Sequence, residues 1–167
     1  MPAAFPDSAA LHAGNPFVLD EAPVNTQTAL RSRILAVSMP DPIRLRMFLL
    51  DCRMAVCRLG PDDEVPEWAG GGSFSSVTRT STELSIVCRE DLVPEGIARE
   101  SGWRIFQVEG PLDFALTGVL ASIAQPLAEA HVSLFAISTF DTDYAMVRER
   151  DVEQAANILR TAGHRVG

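Results

Sequence analysis

The sequence predicts an α+β fold whose clearest part is a β-α-β-β-α-β module between Trp103 and Val166. Two amphipathic helical patterns in this region alternate with short apolar stretches of strand character, in the order of the split βαβ arrangement. The residues before the module show several strand patterns and no long helical pattern. Together these observations predict a sheet that carries a small number of helices.

The first half of the module is predicted as a strand followed by a helix. The strand covers 103–108 and ends at Gly110-Pro111. An amphipathic helix beginning at Leu112 is predicted because apolar residues recur at positions 112, 116, 119, 120, 123 and 127. Pro111 suits the first position of a helix, where its missing N–H costs nothing. Pro126 cannot bond to the Ser122 carbonyl, so a kink or an early end is expected there.

The second half of the module is predicted as a hairpin, a helix and a final strand. An apolar run over 132–138 turns back into an antiparallel partner at 144–148. Asp151 and Gln154 have the spacing of a capping box, which predicts the start of a second helix. Gly163 is placed as the C-terminal cap of that helix, before a short last strand at 164–166.

The region before the module is predicted to be rich in strands. Residues 44–59 have the composition of one or two strands, and two more are expected at 74–79 and 84–89. Thr80 and Glu83, between these last two, have capping-box spacing and predict one helical turn.

The N-terminal residues lack a clear pattern. Residues 1–27 are rich in alanine, proline and small polar residues, which is typical of a flexible tail. Residues 28–37 could form a short helix or strand before Pro40 and Pro42 break the chain. Met39 and Met47 lie where order is expected to begin, so either of them could be the true start.

Charge and composition exclude several classes of function. The net charge of −8 argues against binding to nucleic acids or to anionic membranes. No apolar run approaches the roughly 20 residues of a membrane span, and no secretory signal is present, so a cytoplasmic location is expected. All fourteen basic residues are arginine, which excludes a Schiff-base lysine and a phosphate-loop lysine. Three unpaired cysteines favour buried, reduced thiols.

Two loops of the module carry groups that suit a small ligand. Gly110 lets the backbone approach a ligand, and the helix start after it offers N–H groups to an anion such as an α-carboxylate. The turn over 138–143 holds two carboxylates and three hydroxyls, which suit an ammonium or guanidinium group. A third candidate is Ser85, inside an apolar strand. Each feature is also typical of ordinary loops, turns and locally bonded serines, so both interpretations stay open.

No catalytic or metal-binding constellation is found in the sequence. His12, His131 and His164 are not accompanied by a nucleophile, and no metalloprotease or hydrolase motif occurs. Neither a cofactor nor a metal is expected. The protein is therefore predicted not to be an enzyme.

Taken together, these stretches resemble the paired ACT-domain family of small bacterial proteins, which is related to the ACT domains of the cytosolic arginine sensors. The similarity covers residues 44–167. Its most specific part is the block over 102–144, which contains GPLDF, LTGVL and STFDTDY. The other matching stretches are AVCRL, TRTSTELSIVC, VPEG and AGHRV.

The resemblance implies two ferredoxin-like ACT modules side by side, the first (44–100) shortened and β-rich and the second at 101–167, after an N-terminal extension (1–43). It also implies an amino-acid ligand held where the modules meet. The residues carried over to the ligand site are Ser85, Ile86, Gly110, Leu112, Asp113, Phe114, Thr139, Phe140, Asp141 and Asp143. Which of Asp141 and Asp143 faces the ligand stays open.

The resulting hypothesis is an amino-acid-binding regulatory protein that acts through a homodimer or through a regulated partner protein. Binding where two modules meet would favour one of two module arrangements and so become a signal. One alternative is a ligand-free oligomerisation or interaction module. Another, less favoured, is a small-molecule transferase, because a fold alone does not exclude catalysis.

Overall fold

The computed structural model describes residues 43–167. The predictions for the N-terminal extension, including a short element at 28–37, lie outside these residues. Two helices are present, α1 (Val119–Glu129) and α2 (Val152–Thr161). Single 3-10 turns occur at Glu67–Gly70, Glu90–Leu92 and Glu149–Asp151. The strands are β1 (Arg46–Leu59), β2 (Ser76–Arg79), β3 (Leu84–Arg89), β4 (Ala98–Val108), β5 (Phe135–Ser138), β6 (Asp143–Arg148) and β7 (Arg165–Val166).

All seven strands form one sheet in the order β2-β3-β1-β4-β6-β5, and β7 pairs with the beginning of β1. β1 and β4 are the long central strands, antiparallel to each other along most of their length. β3 pairs with the end of β1, whereas β6 pairs with the end of β4. The central pair is irregular between Leu49 and Arg53, where β1 has extra residues opposite β4.

The position of β7 differs from the simple split βαβ arrangement. In that arrangement the last strand of the module lies beside the first, which would put β7 next to β4. Instead Arg46 and Met47 of β1 occupy that place, and β7 pairs with them in parallel. The local pattern of β7 contained no information about this partner, because the partner lies more than a hundred residues earlier.

The hairpins β2–β3 and β5–β6 have the same four-residue loop. Each loop begins with a threonine, Thr80 or Thr139, whose backbone N–H bonds to the carbonyl of the loop's last residue, at 2.9 and 2.8 Å. Each threonine hydroxyl also accepts the N–H of that last residue, Glu83 or Thr142. The helical turn predicted at Thr80 is therefore wrong. The capping-box spacing closes a hairpin, and the Glu83 carboxylate pairs with Arg58 instead.

Apolar side chains fill both faces of the sheet. Both helices pack on one face, with Ile123, Leu127 and Leu159 against Phe106 and Val108. The same face of the first half has no helix in residues 43–97, and its core is covered by the 3-10 turn around Ala69 and the segment around Val93. The opposite face is packed around Met54, Trp103, Ile105 and Met146, where the Phe74 ring lies 4.5 Å from the Tyr144 ring.

The start of α1 is a correction to the sequence prediction. The helix begins at Val119 rather than Leu112, after Gly118 with a φ of 85°. The Leu112 N–H bonds to the Asp141 carbonyl, and the Asp113 carboxylate accepts the Ala115 N–H. Because these bonds hold residues 112–116 in a loop, the apolar spacing there does not form helical turns.

An early end at Pro126, one of the two expected outcomes, does not occur, since α1 continues through it to Glu129. The Ser122 carbonyl that Pro126 leaves free lies 3.0 Å from Nε2 of the buried His164. A side chain thus replaces the missing helical bond. At the end of α2, Gly163 has a φ of 99°, as expected of a C-terminal cap.

Neither helix in residues 43–167 combines the length and the apolar character that a membrane crossing requires.

Candidate functional site

A cavity of about 420 Å³ opens between the loop from β4 to α1 and the turn from β5 to β6. We call it the loop–turn cavity. The turn contributes all of residues 138–143 to its lining. The loop and the first turn of α1 contribute Leu112, Asp113, Phe114, Leu116, Gly118, Val119, Leu120 and Ala121.

Two short hydrogen bonds hold the two walls together at their base. The Leu112 N–H donates to the Asp141 carbonyl at 2.7 Å, and the buried Thr142 hydroxyl donates to the Val108 carbonyl at 2.6 Å. Gly110 lies against the same turn, and a Cβ there would be 2.7 Å from the Asp141 carbonyl oxygen. Only glycine permits this approach, so Gly110 fixes the distance between the walls.

Three carboxylates give the cavity its polar character. Asp113 lies on the loop wall, while Asp141 and Asp143 lie on the turn. The Asp143 carboxylate accepts the Ser138 hydroxyl at 2.5 Å, so one of its oxygens is already engaged. Among residues 43–167, no arginine or histidine lines the cavity. A cationic group is therefore the electrostatic complement of this wall.

The mouth of the cavity is apolar and exposed. Phe114 and Phe140 are 77% and 79% exposed, and their rings make an edge-to-face contact with centroids 5.2 Å apart. Leu116 and Leu120 are also exposed at this mouth. Four large apolar side chains in one place form a surface that a ligand or a partner would cover.

The start of α1 supplies a different kind of contact. Its first intrahelical bond is donated by Ser122 to the Gly118 carbonyl, so the N–H groups of Val119, Leu120 and Ala121 precede the helical bonding pattern. These three residues line the cavity. The helix-start N–H groups that the sequence placed at 112–114 therefore lie at 119–121.

Seven of the ten predicted site residues meet in this cavity: Leu112, Asp113, Phe114, Thr139, Phe140, Asp141 and Asp143. Gly110 lies behind it as a spacer. Ser85 lines another groove of about 280 Å³, between β2–β3 and β5, and the Ile86 side chain is fully buried. The structure of one chain therefore does not bring Ser85 and Ile86 to the other seven residues.

Sequence reasoning missed Leu116, Leu120 and the helix start at Val119. The signal for Leu116 and Leu120 was present, since both belong to the apolar spacing that was assigned to a buried helical stripe. Their exposure shows that the spacing there marks the mouth of a cavity. Within residues 43–167, no three metal-ligating side chains converge.

The first half of the chain has a counterpart of this arrangement. Gly60-Pro61 follows β1 as Gly110-Pro111 follows β4, and Arg79 occupies the hairpin position that Ser138 has in the other half. The Arg79 guanidinium donates to the carbonyls of Pro61 and Asp63. In this half the protein's own cation therefore connects the loop to the hairpin.

A single sheet with both helices on one face, and a small cavity between a loop and a turn, defines a class of small ligand-binding α+β modules. The model of the ACT domain matches residues 98–161, and a model of an N-terminal domain matches residues 53–96. Residues 98–161 therefore belong to the ACT-domain family.

Curated relatives match part of the chain. The bovine cytosolic arginine sensor for mTORC1 subunit 1 is 31% identical over 97 residues, which are 52% of this chain and 30% of that protein. The human protein of the same name is 41% identical over 59 residues, 35% of this chain and 18% of that protein. The chain thus spans less than a third of the length of these relatives.

Solved structures match a larger share of this chain. The crystal structure of protein Atu0741 from Agobacterium tumefaciens is 38% identical, with a TM-score of 0.72 over 75% of this chain and 93% of that one. Aspartate kinase from Clostridium acetobutylicum shares the fold, with a TM-score of 0.51 and 14% identity over 66% of this chain and 33% of the kinase chain.

Proposed function

We propose that this protein is a non-enzymatic regulatory protein that binds an amino acid in the loop–turn cavity. The observation that carries the proposal is the juxtaposition of two complementary walls, with the first turn of α1 on one side and Asp141 and Asp143 on the other. Helix-start N–H groups suit an α-carboxylate, and the carboxylates suit an ammonium or guanidinium group.

Two further observations support this assignment. In the other half of the chain, the Arg79 guanidinium occupies the corresponding loop, which indicates that such loops accept a cationic group. The curated relatives are named as sensors of arginine. The cavity is also small enough to enclose an amino acid, with apolar side chains available for its methylene groups.

We also propose that the described residues form two ACT modules side by side, 44–100 and 101–167, the first without helices. The shared hairpin design and the central β1–β4 pair support this division, as does the boundary between the two family matches at 97 and 98. Ser85 and Ile86 remain proposed ligand contacts only for an assembly in which a second copy brings them to the cavity. A cytoplasmic location belongs to the same proposal.

The proposal is tested by a thermal-shift screen of the protein against the common amino acids at millimolar concentration, followed by titration calorimetry. A ligand present at about 100 times its dissociation constant adds about 2.7 kcal/mol of stability. Asp141→Asn is expected to weaken binding of the best ligand, whereas Asp62→Asn, on the turn after β1, is the matched control. Failure of every amino acid to shift the transition would overturn the proposal.

The exposed apolar mouth favours a second candidate, a ligand-free interaction module. Phe114 and Phe140 are more than three-quarters exposed, and such side chains in a cluster are typical of an interface. Sedimentation of the protein with and without the best amino acid separates the two functions. Association that occurs without any ligand and is unchanged by all of them supports the interaction module.

A further inference from the structure

A second cavity, of about 690 Å³, lies beside the paired central strands β1 and β4. We call it the arginine cavity. It shares no lining residue with the loop–turn cavity. Its basic side chains are Arg53 from the irregular part of β1, Arg89 at the end of β3, and Arg99 and Arg104 from β4.

Two of these guanidinium groups compete for one carboxylate. Arg53 and Arg104 are direct partners across the β1–β4 pair, and like charges in that position repel each other. Both approach the same oxygen of Glu149, Arg53 at 2.8 Å and Arg104 at 3.9 Å. Glu149 therefore satisfies Arg53 and leaves Arg104 with a distant contact only.

Arg104 also has an unused hydrogen-bond donor. Its Nη2 donates to the Leu50 carbonyl at 3.2 Å, but its Nε is buried and has no partner among residues 43–167. A buried donor without an acceptor is unfavourable, and most such groups in proteins bind an acceptor. Its Nη1 has only the 3.9 Å contact with Glu149, so the Arg104 guanidinium lines the cavity with a donor that no residue in 43–167 accepts.

Arg99 is the second cation without a carboxylate. It donates through Nη1 to the carbonyls of Val93 and Pro94, at 2.8 and 3.2 Å, and makes no ion pair within the described part of the chain. Arg89, by contrast, is neutralised by Asp91. The lining also holds four carboxylates. Glu149 is engaged by Arg53, Asp91 by Arg89 and Glu90 by the Gly102 N–H, while Asp51 is exposed to solvent. None of the four makes a hydrogen bond to Arg99 or Arg104 within residues 43–167.

We propose that the arginine cavity binds a small oxyanion, a carboxylate or phosphate group, between Arg104 and Arg99. The guanidinium group is planar and offers its N–H donors in the geometry that such oxygens accept. The bound anion supplies an acceptor to Arg104 Nη1 and reduces the repulsion between Arg104 and Arg53. This site is independent of the amino-acid site proposed above.

Cys52 provides a local reporter of occupancy. Its half-buried thiol lines the cavity, whereas Cys57 and Cys88 are buried elsewhere. Burial raises the pKa of the Cys52 thiol, while the positive charges of Arg104 and Arg89 act to lower it. An anion bound to Arg104 offsets part of the positive charge that lowers the pKa of the Cys52 thiol, so a smaller fraction of the thiol is present as the reactive thiolate. The anion also shields the thiol from the reagent.

The test is the rate of Cys52 alkylation by iodoacetamide in millimolar phosphate or succinate, with ionic strength kept constant by sodium chloride. We expect at least one of the two anions to slow the reaction saturably by about threefold or more, because it lowers the thiolate population and shields the thiol. The anion dependence should disappear in Arg104→Gln and in Arg99→Gln and persist in Arg150→Gln, an exposed arginine outside the cavity.

The outcomes are distinct. An effect of phosphate alone assigns a phosphate group, and an effect of succinate alone assigns a carboxylate. Rates equal to those in sodium chloride, or slowing that persists in both cavity variants, overturn the proposal. Labelling of Cys57 and Cys88 would show that a variant is unfolded. If Arg104→Gln is unfolded, the result for Arg99→Gln decides, because the Arg99 side chain is exposed. Amino-acid binding in the loop–turn cavity is measured separately, so either proposal can fail alone.

Discussion

The imidazole of His164 bonds to the carbonyl oxygen of Ser122 at 3.0 Å, in the place of the N–H that Pro126 lacks. The other ring nitrogen, Nδ1, accepts the Leu45 N–H at 3.2 Å. Nδ1 therefore carries no hydrogen, and Nε2 is the donor to Ser122. One side chain thus connects β1, α1 and the beginning of β7.

Replacement of His164 by alanine is expected to lower the free energy of unfolding by about 2–4 kcal/mol, because a buried donor and a buried acceptor both lose their partner. In a Pro126→Ala background the loss should be about 1 kcal/mol smaller, since residue 126 then supplies an N–H to Ser122. Urea unfolding of the four proteins in this cycle measures the coupling. Additive effects of the two changes would contradict the relationship.

Gly110→Ala is expected to lower the free energy of unfolding by about 1–3 kcal/mol, because the new Cβ collides with the Asp141 carbonyl and pushes the two walls of the loop–turn cavity apart. Urea unfolding measures this loss, and hydrogen exchange at 139–142 should rise with it. Gly70→Ala is the matched control, since nothing lies within 4 Å of its Cβ. The control should stay within about 0.5 kcal/mol of the wild type. Equal losses in the two variants would contradict the account of Gly110.

Phe140→Ser should leave the free energy of unfolding within about 0.5 kcal/mol of the wild-type value, because the side chain is 79% exposed. Its affinity for the best amino acid in the thermal-shift screen should fall roughly fivefold, the equivalent of about 1 kcal/mol of lost apolar contact. Calorimetry measures the change. Val65→Ser removes an exposed apolar side chain elsewhere and should bind normally. Identical affinities of the two variants would exclude the aromatic mouth from the ligand contacts.

Alkaline pH is expected to destabilise the protein through Cys88. Burial raises the pKa of this thiol to about 12, and the neighbouring Cys57 adds to the effect. An unfolded cysteine loses its proton near pH 8.5, so between these values the unfolded state binds fewer protons and becomes favoured. The free energy of unfolding should therefore fall by up to about 1.4 kcal/mol per pH unit.

Urea unfolding between pH 8 and pH 11 measures that slope. In Cys88→Ala the contribution of Cys88 is absent, so the slope should be shallower. Parallel pH profiles of the two proteins would show that Cys88 is not the cause.

The sequence predicted strands β2 and β3 but placed a helical turn between them. It predicted the β5–β6 hairpin because the signals are local, with apolar runs at 132–138 and 144–148 on either side of the turn residues. Helix α2 was predicted for the same reason, with Gly163 as its cap. Properties that depend on neighbours within a few residues can be read from such patterns.

The errors concern contacts between distant residues. The pairing of β7 with Met47 and the bond from Leu112 to Asp141 connect segments that no local pattern relates. The second contact is the reason that α1 begins at Val119. For the candidate site, the loop and the turn were predicted to line one site through the resemblance to ACT domains. Ser85 was misplaced within one chain because its groove depends on how the ends of the sheet approach each other.

The continuity of β1 and β4 decides how this protein can be divided. A fragment cut between residues 97 and 98 would keep both helices and lose the Arg46–Leu49 segment that separates β4 from β7, leaving unpaired edges on two strands. The two halves therefore form one structural unit and have to be engineered together. A chimaera that exchanges one half with a relative must preserve the register of the central strands, including the extra residues before Arg53, or the two halves will not join.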